Sequence, residues 1–162
     1  MSVPRPYALL AELSYRCPLH CPYCSNPRRA RSGTELTTDE WRRVLCEAAE
    51  LGVLQAGFSG GEPLVRRDLA ELIHCAREAN LYTNLITSGV GLDEARARQL
   101  RAAGLDSVQL SFQSDKFDLA DEIAGAHAHQ KKLTAASFIG AAGIPLSLNF
   151  VIHRRNIDRL DK

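Results

Sequence analysis

Apolar residues recur along this chain in two rhythms. Five short runs of six or seven residues, Tyr7 to Leu13, Leu54 to Ser59, Tyr82 to Thr87, Ser107 to Phe112 and Pro145 to Val151, have the length and bounded ends of buried strands. Between them lie segments whose apolar positions repeat every three to four residues, the spacing of one helix face. The first is opened by Thr37-Thr38-Asp39-Glu40, with Thr38 the expected N-cap, and runs to about Leu51. The others span Arg67 to Asn80, Asp93 to Ala103 and about Gln130 to Ala142, the last two closed by Gly104 and Gly143. Strands alternating with helices predict an α/β fold whose strands run parallel through right-handed crossovers. Ligands in such folds gather beyond the carboxyl ends of the strands, so the loops leaving the strands are where chemistry is to be sought.

The loop after the first strand reads Cys17-Pro18-Leu19-His20-Cys21-Pro22-Tyr23-Cys24, three thiols at C-x3-C-x2-C spacing. Thiolates so close in sequence can wrap one soft metal centre. Structural zinc takes four protein ligands, whereas an iron–sulfur cluster held by three keeps one iron open to a ligand. His20 adjoins Cys21 and breaks the usual zinc spacings; a zinc knuckle or three buried thiols are the alternatives to a cluster. The second strand ends in Phe58-Ser59-Gly60-Gly61-Glu62-Pro63, where paired glycines let the backbone approach a ligand and Glu62 can accept from an ammonium group. Other strand ends add Asn84, Ser88, Ser111, Gln113 and Asn149, residues that could equally satisfy local backbone. His153 follows the fifth strand and is a candidate on the substrate side, while His74, His127 and His129 are expected in solvent, the last two in a polar, mobile stretch. Cys46 and Cys75 fall inside helical patterns as small buried hydrophobes.

Composition changes this picture only at its borders. A chain of 162 residues with 45% hydrophobic content suffices for one core. Twenty Lys and Arg against 19 Asp and Glu give a net charge of +1, which offers no electrostatic case for nucleic acid or an anionic membrane. The run Arg28-Arg29-Ala30-Arg31 reads as a solvated loop. No apolar stretch approaches the ~20 residues of a membrane span, and five cysteines without a secretion signal suit a reducing, cytoplasmic compartment.

The cysteine spacing, Tyr23 before the last cysteine and the Gly60-Gly61-Glu62-Pro63 turn together resemble the radical S-adenosylmethionine (radical SAM) family. Within it, Arg16 to Pro27, Gly57 to Arg66, Tyr82 to Gly89, Gln109 to Gln113 and Leu148 to His153 resemble the peptide cyclases of pyrroloquinoline quinone formation. The resemblance implies a partial (β/α)6 barrel of about five units. Residues 1–162 would be a radical SAM core domain cut short before the last unit, without the cysteine-rich C-terminal domain that holds auxiliary clusters. It implies that Cys17, Cys21 and Cys24 hold a [4Fe-4S] cluster and that Tyr23 lies near the adenine of S-adenosylmethionine. Gly60, Gly61 and Glu62 would hold its amino group, and Ser88, Ser111 and Gln113 would contact its carboxylate or ribose, or the substrate. The implied reaction joins a glutamate to a tyrosine in a small precursor peptide, with a peptide chaperone and an external electron donor as partners. Another radical SAM maturase, or a cluster- or zinc-binding module without turnover, are the other readings. The segment Gly125 to Lys132 departs from the aromatic-containing sequence usual in that family.

Overall fold

The computed structural model describes residues 5–26 and 35–159. The basic run Arg28 to Arg31 lies outside them. Five parallel strands form one sheet in sequential order: β1 (Ala8–Glu12), β2 (Gln55–Ser59), β3 (Tyr82–Thr87), β4 (Ser107–Phe112) and β5 (Leu146–Phe150). The crossovers are helical: α1 (Thr38–Glu50), α2 (Leu69–Glu78), α3 (Glu94–Ala102), and the pair α4 (Phe117–Ala124) and α5 (His129–Ala141) between β4 and β5. All five expected strands are present, and the sequential order of parallel neighbours is that of an opened-out barrel.

The pleat divides the sheet into two unequal faces. Leu85, Val108, Leu110 and Phe112 point to the helices and are buried with Ala11, Phe58, Leu45, Leu72, Ile73, Leu100 and Ile139. On the opposite, concave face lie Asn84, Ile86, Ser107, Gln109 and Ser111, all only half-buried. Polar residues therefore line the inside of the partial barrel, and the apolar core sits between sheet and helices.

Three local expectations are corrected. The N-cap of α1 is Thr37, not Thr38: its hydroxyl accepts from the Glu40 N–H, and Glu40 reaches back to the Thr37 N–H in a capping box. Thr38 instead donates to Asp68 Oδ2 at 2.7 Å, tying α1 to the start of α2. Cys46 is exposed and Cys75 half-buried, since both fall beside the buried stripes of their helices rather than on them. His129 is not in solvent: it opens α5 one residue before the expected helix start, its side chain buried together with that of Lys132, and the unforeseen helix α4 precedes it. His127 is in solvent as expected, beside Asp121.

Candidate active site

The cysteine loop is carried by β1 and seated by its neighbour. Past the strand ends, the parallel pairing of β1 and β2 continues as backbone bonds: Leu13 N–H to Ser59 O at 2.9 Å, Gly61 N–H to Ser14 O at 2.5 Å and Glu62 N–H to Arg16 O at 2.8 Å. The turn lies so close that a Cβ on Gly60 would stand 2.4 Å from Ser14 O, and one on Gly61 2.5 Å from Arg16 O. Gly60 also has φ +129°, a region other residues avoid, so the pair of glycines is a requirement of this contact. Arg66 braces the same junction, donating to Leu13 O and Leu36 O while paired with Asp68. The far side of the loop rests on α4, where the His20 N–H donates to Ala124 O at 2.8 Å.

A cleft of about 160 Å³ opens at the carboxyl ends of the strands. Cys17, Cys21, Tyr23 and Cys24 form one wall, Ser59, Gly60 and Gly61 the second, and Ser88, Ser111 and Gln113 the third. Nine of the ten residues that the family resemblance assigns to the site thus meet in one cavity. The exception is Glu62, which is fully buried beneath it. Its Oε1 accepts from Leu64 N–H and Thr87 Oγ1, and its Oε2 from Ser88 N–H and Ser88 Oγ. A carboxylate offers about four acceptor positions, and here all four are taken by the protein. Asn84 accepts from Ser107 on the concave face, and Asn149 sits opposite Ser111 on β5; neither lines the cavity.

The three thiols are free, and burial pushes those of Cys17 and Cys21 up from their ordinary value. The Leu19 N–H opposes this at Cys17, and the Tyr23 hydroxyl and the Lys132 ammonium oppose it at Cys21. Among the described residues, no three His, Cys, Asp or Glu side chains are gathered tightly enough to hold a metal ion by themselves. The thiols therefore share a cavity wall without already forming a coordination shell. As a donor set they nonetheless suit an iron–sulfur cluster: three sulfurs on one short loop, facing glycine backbone rather than a fourth protein ligand.

Tyr23 ties the first wall to the third. Burial holds its phenol up at about 12, and its Oη accepts from Gln113 Nε2 at 3.1 Å. The His153 ring lies 5.5 Å from the Tyr23 ring, so this histidine backs the aromatic rather than facing the cleft.

Residues 11–162 match the family model described as the radical SAM superfamily. The chain belongs to that superfamily. A curated relative of this radical SAM chain, PqqA peptide cyclase of Granulibacter bethesdensis (strain ATCC BAA-1260 / CGDNIH1), is 58% identical over 159 residues. That match covers 97% of the chain and 42% of the relative, so the chain spans about two fifths of the length of this relative. Among solved structures, Streptococcus suis SuiB bound to S-adenosylmethionine superposes with a TM-score of 0.85 at 22% identity, over 97% of this chain and 36% of that one. SuiB bound to its precursor peptide SuiA gives 0.82 at 22% identity, covering 97% and 35%. The enzyme anSMEcpe with bound AdoMet and a Cp18Cys peptide gives 0.70 at 23% identity, covering 88% and 42%. At these identities the structures establish the shared fold.

Two participants escaped the sequence reading of this radical SAM core. Thr87, at the end of β3, lines the cleft and donates to Glu62; its position beside Ser88 was the available signal. Lys132 lies on α5 in the stripe of Ala128, Ala135 and Ile139, the spacing of a buried helix face; it fell inside the helix expected from sequence, and its register with those residues was the available signal. No helix among the described residues is long and apolar enough to cross a membrane.

Proposed function

We propose that this chain is the S-adenosylmethionine-cleaving core of a PqqA peptide cyclase. The observation that carries the reading is the convergence of three free thiols, a glycine wall and the Ser88, Ser111 and Gln113 side chains on one cleft, in a radical SAM chain 58% identical to such a cyclase. Cys17, Cys21 and Cys24 are the residues to hold a [4Fe-4S] cluster, which when bound supplies the electron that splits S-adenosylmethionine into methionine and a 5′-deoxyadenosyl radical. The chain's own contribution is placement and exclusion of water.

Gly60 and Gly61 bring peptide backbone to the cavity wall without side chains, leaving room for the polar head of the cofactor. Glu62, its acceptor positions filled, fixes the Ser88 hydroxyl at the rim rather than receiving the ammonium itself. Tyr23 presents a half-buried aromatic surface for the adenine, and Ser111 and Gln113 offer polar contacts to ribose or carboxylate. The substrate is the precursor peptide PqqA, in which the carbon radical made at a glutamate side chain closes onto a tyrosine ring. The peptide chaperone PqqD is its partner, an external donor supplies the electron, and the setting is cytoplasmic.

The test is anaerobic reconstitution with iron and sulfide, followed by S-adenosylmethionine, a strong reductant and chromatography for 5′-deoxyadenosine. Product is expected from the wild-type chain and none from Cys17→Ala, Cys21→Ala or Cys24→Ala, each of which also loses iron. Full iron content in those variants would overturn the assignment.

A further inference from the structure

Lys132 is fully buried, which for an ammonium costs several kcal/mol unless its donors are met. It replaces a residue that by position should be apolar, between Ala128 and Ala135 on the buried stripe of α5. Its Nζ donates to Ser111 O at 2.9 Å and to Gln113 Oε1 at 2.6 Å. An ammonium has only donors, so the Gln113 amide oxygen must face it, and the amide NH2 is turned the other way. There it meets Tyr23 Oη at 3.1 Å. Because that oxygen is occupied as an acceptor, the phenol proton is left to point away from Gln113, within the cleft wall that Tyr23 shares with Cys21 and Cys24. Every donor in the series points one way: from Lys132 through Gln113 and Tyr23 toward the cysteine loop.

We infer that Lys132 is a positioning residue for the cofactor cleft, setting the orientation of the Gln113 amide and through it the placement of the Tyr23 ring. The inference rests on the reading of the cleft as the S-adenosylmethionine site, but the geometry it concerns exists in the metal-free chain. Without the ammonium, the Gln113 side chain is free to rotate by half a turn, offering oxygen instead of NH2 to Tyr23. The phenol then becomes donor to Gln113 and gives up its alignment with the loop.

Lys132→Met keeps the unbranched shape and removes the donors. In metal-free protein carrying 13Cζ-tyrosine, with the Tyr23 resonance assigned from Tyr23→Phe, the Lys132→Met chain is expected to shift that resonance while leaving the other tyrosines in place. In cluster-loaded protein, iron per chain is expected to be unchanged and S-adenosylmethionine affinity to fall about tenfold, the loss of one charge-assisted hydrogen bond. The same substitution made in a Gln113→Leu chain is expected to cost nothing further, because the intermediate is already gone. An unmoved Tyr23 resonance, or Lys132→Met and Gln113→Leu effects that simply add, would overturn the proposal. Should wild-type loaded protein fail to bind S-adenosylmethionine, the functional reading falls, and the tyrosine resonance still decides the positioning role.

Discussion

Replacing Glu62 with glutamine separates two roles for the same carboxylate. In the structure it accepts from two backbone N–H groups, of Leu64 and Ser88, and from the hydroxyls of Thr87 and Ser88. Those hydroxyls in turn accept from the Gly89 and Val90 N–H groups, so one carboxylate organises the exit of β3. Glutamine keeps one acceptor oxygen and turns an NH2 toward the other pair of donors. A hydroxyl can reverse and accept, but a backbone N–H cannot, so one buried N–H is left unpaired. That costs about 1–3 kcal/mol, and the remaining bonds lose their charge assistance, for a total of about 2–4 kcal/mol. For a chain of this size the melting temperature should fall by roughly 5–15 °C. The assay is thermal unfolding of the metal-free, reduced protein followed by circular dichroism. A melting temperature within about 1 °C of wild type, paired with lost S-adenosylmethionine binding, would refute the argument and return Glu62 to a ligand role.

Three further outcomes follow from the same geometry. Gly60→Ala should prevent the turn from seating on Ser14, destabilising the chain by more than about 3 kcal/mol or abolishing soluble expression, because both the 2.4 Å approach and φ +129° forbid a side chain; a normal denaturant midpoint would contradict this. Burial lowers the Lys132 ammonium from 10.5 to about 8, so between those values the unfolded chain holds a proton that the folded chain has released, and stability rises with pH across that window. The rise is worth roughly 3 kcal/mol and should vanish in Lys132→Met when both proteins also carry Cys17→Ser and Cys21→Ser, which removes the thiols coupled to the ammonium; parallel stability curves from pH 8 to 10.5 would refute it. The Arg66 guanidinium holds the Asp68 carboxyl at about 2 instead of 3.8, which adds about 1–2 kcal/mol, present above pH 3.8 and lost as pH falls through 2. Asp68→Asn should remove that acid-range dependence in urea titrations at pH 2 and 5.

The fold was legible because each strand is a short apolar run ended by glycine or polar residues, and the loops leaving those strands carried the chemistry. Cys17, Tyr23, Gly60 and Gln113 could be assembled from sequence because a parallel sheet sends all its strand ends to one side. What resisted was set by tertiary contact. Glu62 is aimed by donors 25 and 26 residues away, so whether it faces a ligand or the protein is not a local property. The α4 segment begins without a capping side chain and follows β4 after a short turn, which concealed it. Lys132 reads as a surface residue by type and is a core residue by register. Cys46 shows the converse: apolar by type, it falls off the stripe of Trp41, Leu45 and Ala48 and stays in solvent.

The seat of the cysteine loop on α4 bears on when the three thiols would become ready for the cluster proposed for them. The backbone bond from His20 to Ala124 and the close approach of Gly125 to the His20 Cβ, 2.9 Å from the position a Cβ would take, join points about a hundred residues apart. A contact of that separation closes late, after the intervening strands have paired. On the ribosome, the thiols emerge well before the helix that will hold their loop in place, and at ~5–20 residues per second that interval lasts on the order of ten seconds. During it Cys17, Cys21 and Cys24 belong to an unanchored segment, open to oxidation and to whichever metal arrives first. If the three thiols take the cluster proposed for them, its insertion would be timed by the folding of the fourth β/α unit, and a mutation in α4 remote from the thiols would register as a defect in maturation.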